Sequence, residues 1–74
     1  MEDNINKAID YVAKIIECDK TELCKESKMH SHHKWDSLGH LLLMVKLEED
    51  YNIEINDETI NKYSEISNIA KILT

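Results

Sequence analysis

The sequence predicts an all-α fold: a small four-helix bundle with a long loop between helices one and two and a short third helix. The chain of 74 residues contains no proline and one glycine, so it lacks the turn residues that a hairpin-rich β fold needs. Its apolar residues recur at helical rather than alternating spacing. The length fits one domain, which we expect to span residues 1–74.

Helix one is predicted from Glu2 to about Cys18. Its apolar side chains form one stripe of a 3.6-residue helix, namely Ile5, Ala8, Ile9, Val12, Ile15 and Ile16. The polar stretch that follows is a long loop, with a short helical turn near Leu23 begun at Asp19 or Thr21. Met29 is the residue expected to attach this loop to the core.

Helix two is predicted to start at Asp36 or Ser37, which are both good N-cap types, and to run to about Tyr51 with Asn52 as its stop.

The remaining chain holds two shorter helices. Asn56 or Asp57 is expected to cap a brief third helix that contains Ile60. Ser64 or Ser67 is expected to start the last helix.

Helix two carries more apolar side chains than one core-facing stripe needs. One stripe consists of His40, Leu43, Met44, Leu47 and Tyr51 and should face the core. The second consists of Leu38, Leu41, Leu42 and Val45 and leads into Glu48 and Glu49. Either both stripes are buried, or the second is an exposed apolar patch with an acidic end, which is typical of a protein-docking surface.

The charge balance favours basic protein partners. The chain has 15 acidic residues against 9 lysines, a formal net charge of −6, which argues against nucleic-acid binding. No apolar run is long enough for a signal peptide or a membrane span, so we expect a cytoplasmic monomer without membrane insertion. Cys18 and Cys24 are expected to be free thiols.

The loop histidines lack the paired spacing of a zinc site, so no metal site is predicted from His30, His32 and His33. His40 lies one turn after Ser37. It could pack under Trp35 or touch a phosphate on that serine, but we expect it to be only a satisfied, half-buried side chain.

Ser37 is the candidate attachment residue. A hydroxyl at a helix N-terminus stands beside unpaired N–H groups and the positive end of the helix dipole, which suit a phosphate. Ser37 with His40 does not make a hydrolase, because an oxyanion cradle, a third orienting group and a pocket are missing from the pattern. We therefore expect no reaction of the chain's own.

The sequence from Trp35 to Glu58 resembles the acyl carrier protein family. The matching residues are Asp36-Ser37-Leu38, Leu41, Leu43, Leu47-Glu48-Glu49-Asp50-Tyr51, Ile53-Glu54-Ile55 and Asp57-Glu58. In that family the serine receives a 4'-phosphopantetheine arm from coenzyme A, in a magnesium-dependent reaction of a separate phosphopantetheinyl transferase. The thiol of the arm then carries acyl groups as thioesters.

The resemblance implies that Ser37 is the attachment residue and that Asp36 is its acidic neighbour, contacting the transferase-bound magnesium. It also implies enzyme partners with basic docking patches that load and transfer acyl groups. The residues facing them would be Leu38, Leu41, Leu42, Val45, Glu48 and Glu49.

Departures from the fatty acid synthesis carriers occur at His33, Lys34, Trp35, Gly39 and Leu42. With these residues the chain looks more like carriers of specialised pathways, such as those for surface polysaccharides or secondary metabolites. The alternative function is an unmodified helical interaction domain that binds one partner through the second stripe of helix two.

Overall fold

The first helix, α1, supplies one wall of the core. The computed structural model describes residues 2–73, and α1 spans Glu2–Ile16. It buries one face, formed by Ala8, Val12, Ala13 and Ile16. The helix ends just short of the predicted Cys18, because Glu17 adopts a left-handed backbone (φ 60°) and the Cys18 N–H donates to the Ala13 carbonyl at 3.0 Å. That 6→1 bond is the Schellman way of closing a helix.

The loop between α1 and α2 begins with the predicted helical turn. A 3₁₀ turn spans Lys20–Glu22, and the Asp19 carboxylate caps it by accepting from the Thr21 N–H at 3.0 Å. Leu23 follows the turn directly and is buried.

The second part of this loop is tied to the end of the chain. Lys28 and Glu65 form an isolated antiparallel bridge, in which the Met29 N–H donates to the Ser64 carbonyl at 2.7 Å. Met29 packs against the core as predicted, but Trp35 is the deeper anchor because it is completely buried. The loop is therefore held at both ends.

Helix α2 spans Ser37–Tyr51, as predicted. Asp36 is its N-cap, and Asn52 ends it in a left-handed conformation (φ 58°). The prediction that Tyr51 faces the core is wrong, since its side chain is 40% exposed. Tyr51 is the last residue of α2 and lies past the buried turns, where its ring packs edge-on against Tyr11 at 6.0 Å.

Helix α3 spans Asp57–Lys62 and contains Ile60, as predicted. Asn56 is its N-cap and exchanges hydrogen bonds with Thr59 in a capping box.

Helix α4 spans Ile66–Ala70, and neither serine predicted to start it does so. Glu65 is the N-cap residue, without a side-chain cap bond. The reason is the bridge to the long loop, which fixes Glu65 in an extended conformation just before the helix. Ser64 instead donates its hydroxyl to the Asn61 carbonyl at 2.6 Å.

The core lies where α1 packs against α2 and α4, which are the extended helix–helix interfaces. Its completely buried large side chains come from α1, the long loop, α2 and α4; they include Val12, Trp35, Leu43, Met44, Leu47, Ile66 and Ile69. Residues 2–73 contain four α-helices and no β-strand, so the all-α bundle predicted from the sequence is confirmed. None of these helices is long and apolar enough to cross a membrane.

Candidate functional site

Ser37 is exposed and is the first residue of α2. The residue before it, Asp36, is extended, and its Oδ1 accepts a hydrogen bond from the Gly39 N–H at 2.9 Å. Asp36 thus satisfies one N–H of the first turn and places a negative charge beside the serine. The predicted capping role of Asp36 is confirmed. Since Ser37 is exposed, its side chain is not enclosed in the core.

Gly39 allows the preceding loop to cross directly over the first turn of α2. A Cβ atom at this position would collide with the backbone carbonyl oxygen of Lys34 and would lie 3.2 Å from Cγ2 of Ile16. The absence of a side chain therefore sets how closely the chain before Ser37 approaches the helix.

A buried polar cluster lies beneath the same turn. His40 is 2% exposed, and its ring is bonded at both nitrogens. The Trp35 indole N–H donates to Nδ1 of His40 at 3.1 Å, and Nε2 of His40 lies 2.7 Å from the carbonyl oxygen of Ile60. The prediction that His40 is satisfied is confirmed, although its side chain is buried rather than half-buried and contacts Trp35.

The second stripe of α2 is exposed. The exposed fractions are 66% for Leu38, 52% for Leu41, 50% for Leu42 and 40% for Val45, and Glu48 and Glu49 beyond them are exposed too. This excludes the interpretation in which both stripes are buried. Four apolar side chains in one row next to Ser37 form a continuous patch whose acidic end lies toward the C-terminus of the helix.

Two clefts flank Ser37. One, of about 330 Å³, lies between α1 and α2 and is lined in part by Asp36, Leu38 and Leu42. The other, of about 280 Å³, is lined by Met29, Ser37, His40, Leu41, Met44 and Ile60, and its walls are mainly apolar. Of these two clefts, the second includes Ser37 in its lining.

The side-chain contacts of His32 and His33 lie within the long loop. His32 accepts the Lys34 N–H at Nδ1 (3.0 Å), so its Nε2 is the donor to the Glu22 carboxylate at 2.6 Å. This bond lowers the pKa of Glu22. The ring of His33 stacks on His32 at 4.6 Å. Within residues 2–73, no three His, Cys, Asp or Glu side chains converge as metal ligands would.

Both cysteines, Cys18 and Cys24, are free thiols. Burial raises the pKa of Cys18, which makes it a poorer nucleophile.

The carbonyl of Ile60 is the part of the site that sequence reasoning missed. Every residue has a backbone carbonyl, so the residue type at position 60 does not predict this acceptor. The one available signal is its partner, a histidine on the core face of α2.

An exposed serine at the capped N-terminus of a helix, followed by an apolar and acidic row, is the arrangement that the resemblance to the acyl carrier proteins predicts. The acyl carrier protein of Phytoplasma mali is 27% identical over 67 residues, which cover 90% of this chain and 80% of that protein. Those of Rickettsia massiliae and Rickettsia prowazekii are each 31% identical over 67 residues, covering 90% of this chain and 78% of their own. The chain belongs to the acyl carrier protein family. No family model matches it, and no solved structure does.

Proposed function

We propose that the chain is a non-catalytic carrier that holds acyl intermediates as thioesters on a 4'-phosphopantetheine arm attached to Ser37. A carrier role in general follows from the family. The observation that supports the attachment site is the exposure of Ser37 at a helix N-terminus, next to the Asp36 carboxylate. The residues fit the arm, because the hydroxyl is accessible and helix N–H groups suit a phosphodiester. When bound, the arm would supply the thiol.

Residues 1–74 form one carrier domain in this proposal, although residues 1 and 74 lie outside the described range. It acts as a monomer in the cytoplasm, with neither nucleic acid nor membrane as its partner. The phosphopantetheinyl transferase uses it as a substrate, and magnesium on that enzyme contacts Asp36.

The docking surface is the exposed row Leu38, Leu41, Leu42 and Val45 together with Glu48 and Glu49. A net charge of −6 steers the chain toward enzymes with basic patches. Apolar contacts in the centre and acidic contacts at the end suit partners that must bind briefly and then leave.

We further propose that these partners belong to a specialised pathway rather than to housekeeping fatty acid synthesis. The support comes from the departures that face solvent, which are His33, Lys34 and Leu42. Trp35 and Gly39 are buried, so their difference from the fatty acid synthesis carriers concerns the fold and does not bear on partners.

The test is incubation with coenzyme A, magnesium and a promiscuous phosphopantetheinyl transferase, followed by mass spectrometry. We expect the mass to rise by one phosphopantetheine, the Ser37→Ala variant to show no rise, and the matched Ser67→Ala variant to be modified like the wild type. Ser67 is also exposed and lies in the first turn of a helix, α4. An unmodified wild-type chain, under conditions that modify another carrier, would favour the plain interaction domain instead.

A further inference from the structure

His40 is fixed in one tautomer by the chemistry of its partners. An indole N–H can only donate, so Nδ1 of His40 must accept from Trp35. A carbonyl oxygen can only accept, so Nε2 must carry the proton that is donated to Ile60. The ring is therefore neutral with its proton on Nε2, and each of its nitrogens bonds a different partner.

The bond to Ile60 joins α2 to α3, a helix whose Ile60 side chain is partly buried against the core. None of the six described residues of α3 is fully buried. At the end of α3 the Ser64 N–H donates to the Asn61 carbonyl at 3.3 Å, which leaves the Ile60 carbonyl without the partner that a continuing helix would give it. His40 takes that place at 2.7 Å. The imidazole of His40, a residue of α2, thus caps the C-terminal end of α3.

This bond borders the cleft next to Ser37. Both of its partners line the cleft of about 280 Å³, together with Met44, which is completely buried. Trp35 lies bonded to the other nitrogen of His40 and is itself completely buried. A chain that entered the cleft and continued toward Trp35 would have to part α2 from α3. That would leave a buried donor and a carbonyl unsatisfied.

We propose that His40 is a specificity-determining residue, whose hydrogen bond to Ile60 latches α3 and closes the cleft beside Ser37 to long apolar cargo. The carrier then suits acyl groups short enough to stay in the cleft without opening the latch. This inference rests on the proposed function, because it concerns cargo on the arm of Ser37.

The latch itself is tested on the unmodified protein. Long-range ¹H–¹⁵N spectra of the wild-type imidazole should report the proton on Nε2, and the Nδ1–H tautomer would overturn the proposal. Amide hydrogen exchange is then compared between two amide variants. His40→Gln keeps a donor within reach of Ile60, whereas His40→Asn keeps an acceptor near Trp35 but is too short for Ile60.

We expect amides of α3 to exchange about tenfold faster in His40→Asn than in His40→Gln. Amides of α1 serve as the control, since they should exchange equally in both variants if the change is local to α3. Equal exchange of α3 in the two variants would mean that His40 only fills space, and would overturn the latch. The Nδ1–H tautomer in the wild type would overturn the latch even if a variant fails to fold.

The cargo is tested with acetyl, butyryl and octanoyl phosphopantetheine, loaded from the corresponding coenzyme A thioesters. In the wild type, the melting temperatures of the three forms should agree within about 2 °C. In His40→Asn, the octanoyl form should melt about 4 °C or more above the acetyl form, because the released α3 lets the chain enter. A rise of that size already in the wild type would overturn the proposal. If Ser37 is not modified at all, the proposed function fails and the cargo inference with it, while the latch is still decided by the unmodified protein.

Discussion

Replacing Gly39 by alanine should destabilise the fold, although the same change in most helices is stabilising. Alanine is favoured over glycine in a helix by about 1 kcal/mol. At this position the new Cβ would collide with the carbonyl oxygen of Lys34 and meet Ile16 at 3.2 Å. The carbonyl belongs to the backbone directly before Trp35, whose complete burial prevents the loop from moving away.

The magnitude follows from these two opposing effects. Overpacking of this kind costs about 1–3 kcal/mol. Because the colliding atom is backbone and not a flexible side chain, the upper half of that range applies. After the propensity gain, the expected net loss is about 1–2 kcal/mol. For a domain of this size each kcal/mol lowers the melting temperature by about 4–8 °C.

The assay is thermal and urea unfolding followed by the fluorescence of Trp35, the chain's single tryptophan. Ser67→Ala, at an exposed position in the first turn of α4, is the matched control and should stay within about 0.5 kcal/mol of the wild type. A Gly39→Ala variant as stable as the wild type, or more stable, would refute the reasoning, since the close approach of the loop would then not depend on glycine.

Three further outcomes are expected. Leu42→Glu should weaken binding to an acyl-transferring partner about tenfold or more in a titration without loss of stability, whereas Asn61→Glu on α3 should not; equal effects would point to charge alone. Asn56→Ala should lower the free energy of unfolding by about 1 kcal/mol, since it removes a capping-box acceptor, and chemical denaturation measures this. Burial and the 2.9 Å bond to Asp50 raise the pKa of Tyr11, so stability should be intact below its ordinary value of 10.0 and should fall as the pH rises above it. Urea unfolding on both sides of that pH should show a weaker loss in Tyr11→Phe, and an identical loss would exclude this bond as the cause.

The sequence allowed the helices and caps with local signals to be predicted. The apolar stripe of α1 and the caps at Asp36, Asn52 and Asn56 depend on neighbouring residues, and each cap is at one of the positions that the pattern predicts. The exposure of the second α2 stripe was left open, because periodicity says which residues share a face and not what covers that face. Tertiary packing decides it, chiefly the packing of α1 on α2.

Two of the misses have a different physical origin, which is hydrogen bonding between residues far apart in the sequence. The start of α4 is set by the bridge between Lys28 and Glu65, and no residue type predicts such a bridge. The cap of α3 by His40 acts through a carbonyl 20 residues away. Tyr51 was misplaced because the apolar stripe continues for one turn beyond the part of the helix that the core covers.

The structure distinguishes the buried residues that position Ser37 from the exposed residues that a partner could contact. Trp35, Gly39 and His40 surround the serine in sequence but are buried, so a change in any of them acts through the position of the loop or of α3. Leu38 and Leu42 lie one position and five positions after the serine and are largely exposed, so a change there alters contacts without moving the helix start. In the proposed carrier, partner choice and serine placement are therefore assigned to different residues of one short segment. It follows that the two can vary independently, which is what a carrier needs if it is to keep one attachment chemistry while serving different enzymes.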